Sequence, residues 1–198
     1  MPLLAVCVAG IGCDRASPYR IGVVLDFVGT EGASRAAEKI NAAGGINGHR
    51  LELRDVGGAT STSARMALET AERLASDPTV LAVVGHTNSS SSLAASQVYN
   101  ARRLVQIAPT STSPLYSHAG RYSFRLVTSD AHQGVFLADQ VLARAPRPRT
   151  AVVFVNNDYG RPLHGVVIAR LRSLGVTPVY DAPFSGQDSR DDAELGAS

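Results

Sequence analysis

Cysteine is scarce: the 198 residues hold two, Cys7 and Cys13, both within the first thirteen positions. The remaining chain therefore carries neither a disulfide framework nor a cysteine-based metal site. The five histidines, His49, His86, His118, His132 and His164, stand far apart and show no metal-ligand spacing. Lysine is nearly absent, since Lys39 is the only one, and scattered arginines carry the formal net charge of +2. Without a basic stripe or interleaved aromatics, nucleic acid is not an expected partner. No apolar run reaches the length of a spanning helix, and no repeat recurs at solenoid periods. The enzyme motifs GxGxxG, HExxH, GxSxG and the P-loop lysine pattern are missing as well. Asp158 beside Tyr159 could be read as an acid/base pair, but nothing near it supplies a nucleophile. The expectation is a protein without catalysis, cofactor or metal.

What is present is an ordinary globular composition, 44% hydrophobic, enough for a real core in one or two domains. Its organising stretch is VLAVVGHTNSSSS, Val80 to Ser92. The apolar run Val80 to Val84 reads as a buried strand ending at Gly85, and Ser89 to Ser92 open a helical pattern through Leu93, Ala94, Val98 and Tyr99. A helix start leaves N–H groups unpaired and aimed outward, with the positive end of the dipole behind them. With hydroxyls alongside, the place suits a carboxylate. The competing reading makes Ser89 a simple N-cap and leaves the other serines solvated.

The same rhythm runs from the start. Strands are expected at Arg20 to Leu25, Leu51 to Val56 and Leu104 to Ala108, with helices near Gly32 to Ala43 and Ser63 to Ala75. Alternation of strand and three-turn helix predicts a parallel sheet covered on both faces. Ligands of such open sheets sit beyond the carboxyl ends of the strands, which selects three links: Asp26 to Thr30, Gly85 to Ser89 and Pro109 to Ser113. After the short apolar run Phe124 to Val127, residues Thr128 to Asp130 break the pattern. A second series begins with a helix from about Ala131 to Ala143, ended by Pro146 and Pro148. A buried strand Thr150 to Val155 follows, then a helix Pro162 to Leu174 and a strand Val176 to Tyr180. Beyond Phe184 the composition turns polar.

Leu3 to Gly12 has the length of a signal-peptide apolar region and stops at Gly12-Cys13 before polar residues. It resembles a bacterial lipoprotein signal, which implies that Cys13 is lipidated and anchors the mature chain outside the cytoplasm. The match lacks a positively charged segment before Leu3.

Four segments, INAAGGINGHRLEL (Ile40 to Leu53), VLAVVGHTNSSSS, IAPTSTSP (Ile107 to Pro114) and VNNDYG (Val155 to Gly160), occur in an order and spacing that resemble one family. It is the type I periplasmic binding proteins of the branched-chain amino acid ABC transporters, the Leu/Ile/Val-binding group. The resemblance covers about Arg20 to Ser189. It implies an α/β fold of two lobes closing over a small-molecule ligand. Residues 1–19 would be the lipoprotein signal and linker, 20–128 the first lobe with a doubly wound parallel sheet, and 129–198 the beginning of a second, incomplete lobe.

By position, the resemblance implies that Ser89 holds the ligand carboxylate and Ser90 adds donors at the helix start. The Thr110 carbonyl and the Thr112 hydroxyl receive the ligand amino group, and Tyr159 reaches across from the second lobe. The ordinary alternatives are a turn hydroxyl for Thr112, a ring packed on its loop for Tyr159, and a structural hydrogen-bonder for His86. Relative to the family, about a dozen residues are missing after the first strand. The chain also ends where the family continues for well over a hundred residues, so it is expected to be a fragment that binds weakly by itself. The implied function is capture of a branched-chain amino acid or a similar small polar molecule (amide or urea-like) for a membrane ABC permease. The alternative is the sensing domain of a receptor or regulator of the same fold.

Overall fold

The structure, a computed structural model, describes residues 17–55, 63–144 and 149–184. Cys13, Pro146, Pro148 and the polar segment after Phe184 lie outside the described residues. Five strands form one sheet: β1 (Tyr19–Val24), β2 (Leu51–Asp55), β3 (Val80–Gly85), β4 (Val105–Ala108) and β5 (Ser123–Arg125). Their order is β2-β1-β3-β4-β5 and every pairing is parallel. Three helices alternate with the strands, α1 (Phe27–Ala42), α2 (Ala64–Ser76) and α3 (Ser89–Ala101), and a 3-10 turn covers Pro114–His118. Strand order reverses between β1 and β3, and that reversal opens a crevice at the carboxyl ends of the strands.

The patterning explains the packing. Ala67, Ala71 and Leu74 repeat at three to four residues along α2, as Ala95, Val98 and Tyr99 do along α3. Both stripes close on Val24, Val80 and Val83 of the sheet, giving one buried core. The chain then continues into α4 (Asp130–Arg144), β6 (Ala151–Val155), α5 (Gly160–Ser173) and β7 (Tyr180–Phe184). Strands β6 and β7 pair in parallel as a separate two-stranded sheet. A second core joins Ala138, Leu171 and Val176, with Val152 packed against it.

Three elements differ from the sequence expectation. Helix α1 begins at Phe27 rather than near Gly32, because the Asp26 carboxylate accepts from Gly29 N at 2.7 Å and caps the helix early. Most of the expected Asp26 to Thr30 link is therefore helix. Strand β7 starts at Tyr180, not Val176. Gly175 adopts φ +77° and Val176 N donates to Leu171 O at 2.9 Å, which folds Val176 back into the core before the strand can begin. Strand β6 is not buried throughout: Val153 and Val155 remain 48% and 42% exposed. Among the described residues its apolar cover, α4 and α5, lies on the Val152 side.

Helices α4 and α5 meet closely at Gly134, where an added Cβ would lie 2.8 Å from Val166 Cβ and 2.7 Å from its Cγ1. A Gly134→Ala change gains up to about 1 kcal/mol of helix propensity but overpacks the contact by about 1–3 kcal/mol. We expect a net loss of about 1 kcal/mol in chemical denaturation, recovered when Val166→Ala is added. Additive effects of the two changes would contradict the contact.

Candidate functional site: the crevice at the carboxyl ends of the strands

Strand β3 runs through Gly85 and His86 into α3. Asn88, not Ser89, is the N-cap: its side chain accepts from Ser91 N at 2.9 Å. Ser89 is thus the first helical residue, where backbone N–H groups have no intrahelical acceptor. Thr87 Oγ1 accepts from Asp26 N at 2.9 Å, joining the ends of β1 and β3 at the crevice.

The serine run divides by direction. Ser91 and Ser92 are buried, and the Ser92 hydroxyl donates to His86 O at 3.0 Å. Ser111 Oγ donates to Ser92 Oγ at 2.5 Å, and the fully buried Gln106 donates to Gly85 O at 3.0 Å and Ser92 O at 3.3 Å. These groups lock β3, β4 and α3 together beneath the site. Ser89 is buried as well, at 3% exposure, but against the link after β4: its hydroxyl accepts a long bond from Ser113 N at 3.4 Å.

The link after β4 supplies the next wall. Thr110 is exposed, and its hydroxyl donates to Thr87 O. Thr112 donates its hydroxyl to Asp130 Oδ2 at 2.9 Å, and Asp130 N returns a bond to Thr112 O at 2.9 Å. Arg125 reinforces this corner, its Nη1 donating to Ser113 O at 2.8 Å and Thr112 O at 3.3 Å. On the opposite side, Asn157 Oδ1 accepts from Tyr159 N at 3.0 Å and Gly160 N at 2.9 Å, which turns the chain from β6 into α5. Tyr159 is left 38% exposed.

One cavity of about 320 Å³ joins these walls. Ser89, Thr110, Thr112 and Tyr159 all line it, and Ser90, half-buried in the first turn of α3, does not. Thr87, Asn88, Gln133 and Asn157 also line it; the sequence places Thr87 and Asn88 in a site-forming link without giving either a role, and assigns Gln133 and Asn157 none. The cap signal of Asn88 ahead of a serine run, and the Asx-turn signal of Asn157, were available as local cues. Gln133 lies in the first turn of α4 and had no such cue.

Burial dominates the electrostatics. His86 is 3% exposed and its Nε2 lies 3.3 Å from the Tyr99 hydroxyl. Desolvation lowers the imidazole from its ordinary 6.5 to about 4, so it is neutral at pH 7. Burial likewise pushes the Tyr99 hydroxyl up and Tyr116 up to about 12. Burial also raises the Asp130 carboxyl, opposed by the Thr112 hydrogen bond and the nearby Arg125 charge.

A larger cavity, about 400 Å³, lies against β6, α4 and α5. Its walls are chiefly aliphatic, among them Leu137, Val141, Val152, Leu163 and Leu171. It offers no helix start with a run of hydroxyls, so the crevice is the better candidate for a polar ligand. Among the described residues no group of three or more His, Cys, Asp or Glu side chains could hold a metal ion. Among the same residues, no helix is long and apolar enough to cross a membrane.

Comparison with known proteins bears on the family and the fold. The family described as periplasmic binding protein matches residues 18–194. An amino acid binding protein of Pseudomonas aeruginosa is 38% identical over 94% of this chain and 52% of its own length. A Leu/Ile/Val-binding protein homolog of Brucella melitensis is 32% identical over 84% of this chain and 44% of its own. An ABC transporter substrate-binding protein of Desulfitobacterium hafniense, solved in complex with Leu, is 28% identical with a TM-score of 0.72. That likeness covers 91% of this chain and 54% of the other. The chain thus spans about half the length of these relatives.

Proposed function

The chain belongs to the type I periplasmic binding proteins of the branched-chain amino acid group, and from that premise we propose that it captures a small amino acid between two lobes. The first lobe would be residues 20–128, and residue 129 would begin the second. The observation that carries the reading is the single cavity lined by Ser89, Thr110 and Thr112 on one side and by Tyr159 on the other. The ligand carboxylate would lie on the Ser89 hydroxyl and the N–H groups of Ser89 and Ser90 at the start of α3. The ammonium would bond to the Thr110 carbonyl and the Thr112 hydroxyl, and Tyr159 would close over the ligand. A branched-chain amino acid fits the relatives best, and an amide or urea-like molecule shares the same polar groups. No covalent step is involved. The ligand would pass to an ABC permease in the membrane, with the protein held outside the cytoplasm by a lipid on Cys13.

Titrations followed by NMR, with leucine, isoleucine, valine and their amides, test this reading. At least one should bind in fast or intermediate exchange with shifts centred on Ser89 and Thr112. A hydrogen bond to a charged group contributes about 1.5–3 kcal/mol, so Ser89→Ala should weaken binding by about 10- to 100-fold. Equal binding by the wild type and Ser89→Ala would remove Ser89 from the site. Absence of binding by the whole panel would contradict the ligand class.

A further inference from the structure

We infer that Asp130 is a positioning residue for ligand selection: by accepting the hydrogen bond of the Thr112 hydroxyl, it leaves that oxygen only as an acceptor toward the cavity. The inference rests on the functional reading above, and it concerns why the site would choose an amine.

A threonine hydroxyl has one proton and two lone pairs. In this structure the proton has a partner, because Thr112 Oγ1 donates to Asp130 Oδ2 at 2.9 Å. Thr112 also lines the cavity. What its hydroxyl can show a ligand is then lone-pair density. The backbone keeps the pair in place: Asp130 N donates to Thr112 O at 2.9 Å, and Arg125 donates to the same carbonyl at 3.3 Å. Asp130 is fully buried and does not line the cavity, so it acts through Thr112 rather than on the ligand. Its second oxygen, Oδ1, is buried without a hydrogen-bond partner among the described residues. A buried carboxylate in that condition holds strongly to the one donor it has.

The consequence is a polarity filter. An ammonium brings only donors and matches the acceptor. A 2-oxo acid of the same shape brings a carbonyl, so two acceptors face each other across the same gap. Sites that bond a ligand N–H discriminate strongly against an analogue lacking it, and an opposed acceptor adds repulsion. If Asp130 were an amide, its NH₂ could donate to Thr112 Oγ1 and turn the hydroxyl proton toward the ligand. The filter would then be lost with little change in shape.

The test compares L-leucine with 4-methyl-2-oxopentanoate by NMR titration of the wild type, Asp130→Asn and Thr112→Val. The wild type should prefer leucine, and Asp130→Asn should reduce that preference by at least tenfold, through weaker leucine binding and equal or tighter oxo-acid binding. Thr112→Val should reduce the preference similarly, and adding Asp130→Asn to it should change the ratio no further. A merely structural Asp130 would weaken both ligands equally, and that result overturns the inference. Neutron diffraction of the unaltered protein with leucine bound needs no variant. A Thr112 deuteron on the Asp130 side supports the assignment, and one pointing at the ligand overturns it. Wild-type protein that binds neither acid overturns the functional reading together with this inference. Leucine binding with an unchanged ratio in Asp130→Asn overturns this inference alone.

Discussion

Gly85→Ala should cost about 4 kcal/mol of folding stability or prevent accumulation of folded protein. Gly85 ends β3 and is paired with Val24, the last residue of β1. A Cβ placed there would sit 2.5 Å from Val24 O and 2.9 Å from Val24 Cβ. Those atoms belong to the neighbouring strand, so relief requires the β1–β3 ladder to open. Gly85 also has φ +145°, a region that side chains rarely adopt. Strain of that kind costs about 1–3 kcal/mol and overpacking a similar amount. As a control, Gly32 lies within α1 with nothing within 4 Å of an added Cβ. Gly32→Ala should therefore stabilise by about 0.5–1 kcal/mol. Urea denaturation of both variants measures the contrast. A Gly85→Ala protein within 1 kcal/mol of wild type would show that the strand can give way.

The second large effect is on pH dependence. His86 is held near 4 by burial, against an ordinary value of 6.5. The unfolded chain therefore binds this proton more readily than the folded one. The folded state keeps its full stability above about pH 6.5 and loses it as the pH falls from there toward 4. The difference of about 2.5 units corresponds to about 3 kcal/mol between pH 7 and pH 4. Carboxylates titrate in the same range, so the informative quantity is the difference from His86→Gln, which cannot gain the proton. Loss of the ring should lower that variant by a nearly constant amount at every pH. The wild type should converge on it by about 3 kcal/mol as the pH drops. Parallel profiles for the two proteins would mean that His86 is charged or solvated in the folded state.

How far the sequence reveals this arrangement depends on whether the cue is local. The β-α-β rhythm is written in apolar runs and glycine stops, and the structure follows it through β1 to β4 with small shifts at the ends. Ser89 and Thr112 are legible because both follow parallel strands at their carboxyl ends. The start of α1 is not, since Phe27 and Val28 are 81% and 75% exposed and carry no helical periodicity. A single carboxylate, Asp26, sets that helix start. The fate of the serine run was equally hidden. Ser92 is buried only because Ser111 and Gln106, from a different strand and link, meet it, and composition does not distinguish such a hydroxyl from a solvated one. Asp130 belongs with these cases. As the first residue of α4 it reads as an ordinary acidic helix start. Only the return of the chain beside Thr112 brings it within hydrogen-bond reach of that hydroxyl.

On the proposed reading, the crevice at the start of α3 holds an amino acid by its carboxylate. A crystal structure of the protein with L-leucine tests it most directly. The carboxylate should lie within hydrogen-bond distance of Ser89 Oγ and the first N–H groups of α3, with the ammonium turned toward Thr110 and Thr112. Leucine found instead in the apolar cavity between β6, α4 and α5, or with its ends reversed in the crevice, would contradict it.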